Sequence, residues 1–415
     1  MGSKLKILRV YDFAYPRIFP YLIKEDPSFL KLGYEEQKAF YLKKKFFVTN
    51  AFENGMRARG YEATELMYYV PPLHKAWLRE RNRRFRKDLW QIEAALGQIQ
   101  EFKPDIVYFQ NFGHIPRYVR TKLKEAVPSI RLMLVHLGFP TPPEDLKNID
   151  HVFTTTPLLS EELRKEGHSA SVLYHAMDET LLEESESSIP EYSKRNHNTT
   201  FIGSSGYGYP FHFERYWFLH DLLSKSPIHA WLDEGIQKRA TLQQFIEKPA
   251  TTLAKEIAYQ TPILLPQLRN KAVRKRIGLD QQTPYVLSSL FPKKTSKPAY
   301  GHDFYDLLKE SKVSLNIHTE SAKGQVGNLR LFQATGMGSC LLTDHGPNLS
   351  DLFEIDKEVV SFSNTEECIE KIEYLQNNPK TAKEIAEAGH RRTVRDHTIS
   401  HRCDLVHEKI QELLN

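Results

Sequence analysis

Short apolar runs alternate with longer stretches of mixed apolar and charged residues from one end of the chain to the other. Residues 4–11, KLKILRVY, are apolar enough to lie inside a sheet and feed a loop that opens at Asp12. A helical pattern over 35–58 stops at Gly60, and a short strand is predicted over 63–66. A long polar helix is predicted over 73–102, a strand over 105–110 (DIVYFQ), a helix over 116–126 and a strand over 131–136 (RLMLVH). Strands over 151–155 and 171–173 complete this half. Short continuous apolar strands between helices indicate a doubly wound parallel sheet, whose strands are buried on both faces.

Residues 182–198, LEESESSIPEYSKRNHN, lack apolar periodicity and are predicted to be a linker. A second alternation starts with a strand at 199 (TTFIGSSG), passes through a helix over 213–224 and resumes at 313. Between them the basic, helical stretch near 236–295 reads as an insertion. Helices over 363–376, 379–395 and 401–414 close the chain. The organisation expected is a first domain over 1–181, the linker, a second domain over 199–395, and a tail over 396–415 that returns to the first domain. Two Rossmann-like doubly wound domains facing a central cleft amount to an α/β protein of GT-B architecture.

The stretch 313–353, VSLNIHTESAKGQVGNLRLFQATGMGSCLLTDHGPNLSDLF, carries the most chemistry. A strand over 313–317 ends in a polar loop over 320–328, a helix over 329–335 follows, and a strand over 340–343 completes a βαβ unit. The loop presents backbone N–H groups at a helix N-terminus, with Arg330 in the first turn, which is how proteins hold phosphate. Gly327 and Asn328 would let the backbone approach a ligand closely. Gly203 and Ser204 open the corresponding loop of the second domain's first strand, where N–H groups can also meet a phosphate. A nucleotide or other phosphorylated ligand is expected at the carboxyl edge of the sheet.

The bulk numbers narrow the class. At 415 residues the chain exceeds one ordinary core, and a net charge of +5 permits an anionic ligand without implying nucleic acid. Cys340, Cys368 and Cys403 are too far apart for CxxC or zinc spacing, so a reducing, cytoplasmic setting is expected. Neither a signal-peptide core nor an apolar run of the roughly 18 residues that span a bilayer is present. DxD and HExxH patterns are absent, and neither a metal nor a cofactor is expected.

From about residue 301 to 402 the string NLRLFQATGMGSCLLTDHGPNLSDLFEIDKEVVSF, followed by EECIEKIEYLQNNPKTAKEIAEAGHRRTVRDHTISHR, resembles the glycosyltransferase domain of the CgeB-like, spore-maturation type proteins. The resemblance implies transfer of a sugar from a nucleotide-diphosphate-sugar donor to a glycan, lipid-linked or protein acceptor, without a metal. Related retaining enzymes carry two glutamates eight positions apart, where this chain has Gln325 and Gln333. In those relatives the second contacts the donor ribose and the first the sugar. An amide still bonds a hydroxyl but without the strengthening that charge supplies. With both positions amidated, a non-catalytic sugar-nucleotide-binding or scaffold partner is the alternative.

Gly203, Ser204, His318, Gly327, Asn328, Arg330 and Gln333 are thus expected to grip nucleotide and diphosphate. Arg330 would straddle the diphosphate in bidentate fashion. His318 has a second reading, as support beneath the loop. His136 ends its strand where the resemblance puts a histidine against donor-sugar hydroxyls, and His114 has the same position one strand earlier. Asp12 could serve as the base an inverting reaction needs; a loop-capping aspartate is the plainer reading. The basic run 75–87, KAWLRERNRRFRK, is either a solvated face or a peripheral contact with anionic lipid.

Overall fold

A computed structural model describes residues 4–11, 22–24, 26–46, 49–84, 86, 89–111, 115–185, 188–207, 212–234 and 286–415. Within them twelve strands build two six-stranded sheets, and every pairing is parallel. The first holds β1 (Lys6–Tyr11), β2 (Glu62–Met67), β3 (Ile106–Gln110), β4 (Leu132–Leu137), β5 (His151–Thr154) and β6 (Ala170–Val172), in the order β2-β1-β3-β4-β5-β6. The second holds β7 (His197–Ser204), β8 (His229–Asp233), β9 (Thr295–Ser296), β10 (Ser311–Asn316), β11 (Cys340–Asp344) and β12 (Val360–Phe362), in the order β12-β11-β10-β7-β8-β9. Strand order reverses between β1 and β3 in the first sheet and between β7 and β10 in the second. At such a reversal the flanking loops leave in opposite directions and open a crevice beyond the carboxyl ends of the strands.

The central strands feed a core on both faces. In β1, Ile7 joins Ile106, Tyr108 and Leu134 on one side, while Leu8 and Val10 join Val107, Phe109 and Val135 on the other. In the second sheet Phe201, Val313 and Leu342 face the helices Phe213–Lys225 and Thr365–Asn377, and Ile202 and Leu341 face the helices His302–Lys309 and Leu329–Gly336. Burial on both faces is why these runs read as continuously apolar. β8 escaped the pattern because its sequence, HAWLD, alternates polar and apolar residues and is only half buried.

Four expectations need correction. The helix expected over 35–58 is two, Tyr34–Lys43 and Ala51–Ala58, parted where Lys45 takes a left-handed backbone (φ 56°). The helix expected over 73–102 is also two, Pro71–Glu80 and Trp90–Phe102, because Asn82 turns left-handed (φ 48°). Within the basic run 75–87 the helix thus ends at Glu80. Arg81 instead pairs with Glu101 and lies over Trp77, while Arg86 pairs with Glu93. Residues 182–198 are not a free linker: Tyr192 donates to Lys312 O at 3.1 Å and Arg195 to Gly338 O at 2.6 Å, both in the second domain. Most of the expected insertion, residues 235–285, lies outside the described residues; beyond it comes β9. No described helix is long and apolar enough to cross a membrane.

The chain crosses between the sheets twice, and the crossings bond to each other. Met177 N donates to His397 O at 2.8 Å, and Ile399 N donates to Met177 O at 2.9 Å. Beyond the second crossing the helix Ile399–Leu414 lays Cys403, Val406 and Ile410 into the first domain's core beside Ile106 and Tyr108.

Burial holds several imidazoles below their ordinary range: His74, His151, His175, His212 and His397 are pushed down to about 4, His136 to about 3, and His197 and His229 are lowered as well. Between pH 6.5 and 4 the unfolded chain binds protons there that the folded chain refuses, so stability rises with pH across that window. The melting temperature should therefore fall by several degrees on acidification from pH 7 to pH 5. A flat profile over those two units would contradict the buried neutral imidazoles.

Candidate active site

A cavity of about 730 Å³ lies between the two sheets, lined by the carboxyl ends of both. Tyr11 of β1 and Gln110 of β3 mark the reversal point of the first sheet; Gly203 and Ser204 of β7 and Asn316 of β10 mark that of the second. A volume of this order suits a substantial small-molecule ligand. A second cavity, about 20 Å³ and walled by Val10, Ile99, Phe109 and Leu123, is apolar and holds nothing larger than a water.

The helix Leu329–Gly336 aims its N-terminus into the large cavity, where Asn328, Leu329 and Arg330 form the wall. His318 fixes this end. Its Nδ1 lies 2.7 Å from Asp344 Oδ1, and its Nε2 accepts from Gly327 N at 3.1 Å and Asn328 N at 3.4 Å. That pattern sets the tautomer, with the proton on Nδ1 shared with the carboxylate. Asp344 is in turn held below the usual carboxylate range; burial opposes this, but His318 and its hydrogen bonds outweigh it. Asn328 donates from Nδ2 to Asn316 Oδ1 at 2.8 Å, and its own buried Oδ1 has no partner.

Arg330 crosses the cavity wall rather than extending into solvent. Nη2 donates to Ile202 O at 2.7 Å, Nη1 to Gln333 Oε1 at 3.3 Å, and the guanidinium sits 4.0 Å from the centre of the Phe304 ring. Gln333 completes the chain by donating to Tyr305 Oη at 3.0 Å. The result is a cation held at the mouth of a helix N-terminus, where both attract an anion.

Residues 265–408 match a family described as glycosyl transferase-like. No curated protein matches the sequence. Solved structures match over essentially the whole chain. A glycosyltransferase from Rickettsia africae superposes with a TM-score of 0.53 at 12% identity, covering 100% of both chains. HepE of Anabaena, solved with UDP and glucose, gives 0.53 at 13% identity over 98% of this chain and 99% of that one. Sucrose-phosphate synthase of Thermosynechococcus elongatus gives 0.51 at 9% identity over 99% of each. The fold is GT-B. In this GT-B cleft the first domain supplies one wall and the second domain, with the helix Leu329–Gly336, supplies the other.

The expected site residues divide accordingly. Gly203, Ser204, His136, Asn328, Arg330 and Gln333 line the cleft. Two expected ligand contacts do not, and are corrected here. His318 is spent beneath the loop as a helix cap, and Gly327 faces the other domain: a Cβ there would stand 2.2 Å from Thr155 O. Gln325 departs in the same way, accepting from Leu158 N at 2.9 Å at the start of the helix Pro157–Lys165. The loop read as a phosphate cradle is largely a clamp on the first domain. His136 is buried with both ring nitrogens bonded, Nδ1 to Gln110 Nε2 (2.7 Å) and Nε2 to Leu173 O (2.8 Å), so it shapes the wall and carries no proton to a ligand. Asp12 and His114 lie outside the described residues.

Several cleft residues were not anticipated. Arg9 sits in β1, where a lone charge inside an apolar run is a signal that could have been read. Asp233, which accepts from Tyr300 Oη at 3.0 Å, His175 and Arg402 are brought in by the tertiary fold alone. His175 is half-buried, edge-on to His136, and at about 4 too weak a base to take a hydroxyl proton unaided.

Gly327 and Gly203 give a matched test of the clamp. Gly327→Ala forces a methyl against a backbone carbonyl across the domain seam and should destabilise by about 1–3 kcal/mol, the usual cost of overpacking. Gly203→Ala meets only ordinary contact, 3.5 Å from the Phe201 ring, and should melt like the wild type. Equal melting temperatures for the two variants would mean that the seam is not tight at Thr155.

Proposed function

We propose that the protein is a glycosyltransferase that moves a hexosyl or related group from a nucleotide-diphosphate sugar to a glycan, lipid-linked or protein acceptor. The observation that carries this is the N-terminus of the helix Leu329–Gly336, with Arg330 beside it, opening on the cleft at the reversal point of the second sheet. The glycosyl transferase-like match covers this helix, and the resemblance of residues 301–402 to the CgeB-like domain points the same way. Asn328, Arg330, Gly203 and Ser204 would take the diphosphate, and Gln333 would hold Arg330 in place. Three free, buried cysteines and a nucleotide-sugar donor suit the cytoplasm.

Rate in such a site comes from positioning and from stabilising the departing nucleoside diphosphate. As the glycosidic bond breaks, negative charge grows on the diphosphate oxygens, where the guanidinium of Arg330 and the first-turn N–H groups stand ready in a low-dielectric wall. These cationic and dipolar groups supply the neutralisation a metal would otherwise give, so the reaction proposed is metal-independent.

A second reading, a sugar-nucleotide-binding partner without turnover, draws on Gln325 and Gln333. One amide is committed to Leu158 N and the other to Tyr305 and Arg330. Donor hydrolysis with a panel of nucleotide sugars separates the two, since only the enzyme releases nucleoside diphosphate.

Calorimetry with UDP, ADP, GDP and TDP should find one that binds. Arg330→Ala should then weaken it by about 1.5–3 kcal/mol, the range for a hydrogen bond to a charged group. Unchanged affinity in the variant would remove Arg330 from the donor site.

A further inference from the structure

The charge lining the cleft is unbalanced. Among the described lining residues are four arginines, Arg9, Arg215, Arg330 and Arg402, against one carboxylate, Asp233. Arg215 and Arg330 belong to the second domain, where the donor diphosphate is placed above. Arg9 and Arg402 stand on the other side, on β1 and on the returning helix packed against the first sheet.

Among the described residues Arg402 forms no ion pair. Its three guanidinium nitrogens bond only neutral acceptors: the carbonyls of Tyr174, His175 and Asp396 and the ring of His397. The Asp396 carboxylate is taken by Arg392 and Arg395. Burial pushes the Arg402 guanidinium down to about 10, which leaves it charged at neutral pH.

Arg9 is nine-tenths buried and only partly satisfied. Nη2 donates to Glu65 Oε1 at 2.8 Å, the guanidinium lies over Phe52, and the buried Nε has no partner. Burying this pair brings the fold no clear advantage over two apolar side chains of the same size. Both arginines and His175 push the His136 imidazole further down, so they act together on one region of the wall. Glu65 already neutralises Arg9, and its own buried Oε2 lacks a partner, so the net positive charge of this wall is that of Arg402. Together with the orphaned Arg9 Nε it favours an acceptor oxygen that carries charge.

We propose that the first-domain half of the cleft is an anion subsite, in which Arg9 and Arg402 recognise a phosphate-monoester or carboxylate group on the acceptor. This rests on the glycosyltransferase reading only for the word acceptor; the subsite itself is defined by its own residues. The donor diphosphate is the competing claimant for these arginines. It would make the two ligands exclude each other, whereas an acceptor subsite lets them bind together.

Calorimetry on the full chain with glucose 6-phosphate, glucuronate, glucose and inorganic phosphate tests this. At least one of the two anionic sugars should bind about tenfold or more tightly than glucose, a difference of about 1.4 kcal/mol. The tighter of the two identifies the group as phosphate or carboxylate. The paired substitution Arg9→Gln with Glu65→Gln avoids stranding a buried carboxylate. It should abolish the preference while the affinity for the nucleoside diphosphate that binds wild type persists. Glucose binding as well as both anionic sugars would overturn the proposal, as would a preference that survives the paired substitution. Displacement of the anionic sugar by the nucleoside diphosphate would reassign the arginines to the donor and overturn it too. The wild-type comparison and the displacement decide the matter even if the paired variant fails to melt cooperatively. Absence of any nucleoside-diphosphate binding would count against the donor reading alone, since the sugar titrations need no nucleotide.

Discussion

Met177 holds the two crossings of the chain together through its backbone N–H and C=O, bonded to His397 and Ile399. Everything that makes the cleft a cleft is built around that seam. Its side chain is packed so closely against the helix Leu329–Gly336 that a Cβ at Gly336 would stand 2.7 Å from Met177 Cγ. Arg402 gathers the Tyr174 and His175 carbonyls of the first crossing together with the Asp396 carbonyl of the second. A crossing of lone strands would leave these carbonyls buried and unpaired, at a cost of about 1–3 kcal/mol each. Bonding the crossings to each other removes that cost and fixes which ends of the two sheets meet.

The same economy governs the loop before the helix Leu329–Gly336. Its residues point both ways. Gln325, Gly327 and Lys323 meet the first domain at Leu158, Thr155 and Glu162, while Asn328 and Arg330 turn to the cavity. The helix that faces the ligand is therefore positioned by the other domain as much as by its own sheet. His318 links the two functions, because its Nε2 accepts from the loop while its Nδ1 is held by Asp344 at the end of β11. The helix N-terminus and the seam between the two sheets share these atoms, so an anion bound there would act on both.

Electrostatics completes the picture. Among the described lining residues a helix N-terminus and four arginines, one of them paired with Glu65, face one carboxylate, an arrangement that repels a cation and holds an anion. Neutral imidazoles at His136 and His175 suit this arrangement, since a further positive charge among buried arginines would be costly.

The alternation of apolar runs determined the parallel sheets, the two-domain plan and the helix over 329–335, because burial on both faces of a strand leaves a pattern that needs no distant partner to be read. Local stereochemistry also lay in the sequence, but weakly: Lys45 and Asn82 turn left-handed inside runs whose periodicity continues through them, so single helices were expected where pairs exist. Facing direction was beyond it. Asn328 and Gly327 are neighbours, yet one lines the cleft and the other abuts Thr155, a residue 172 positions away. His318 and His136 read as ligands because histidines at strand ends often are; only the completed fold brought Asp344, Gln110 and Leu173 to their ring nitrogens. Arg402 is the clearest case. In the sequence it is one more cation on a terminal helix, and it becomes a cleft residue only because Met177 and Ile399 bring that helix back across the seam.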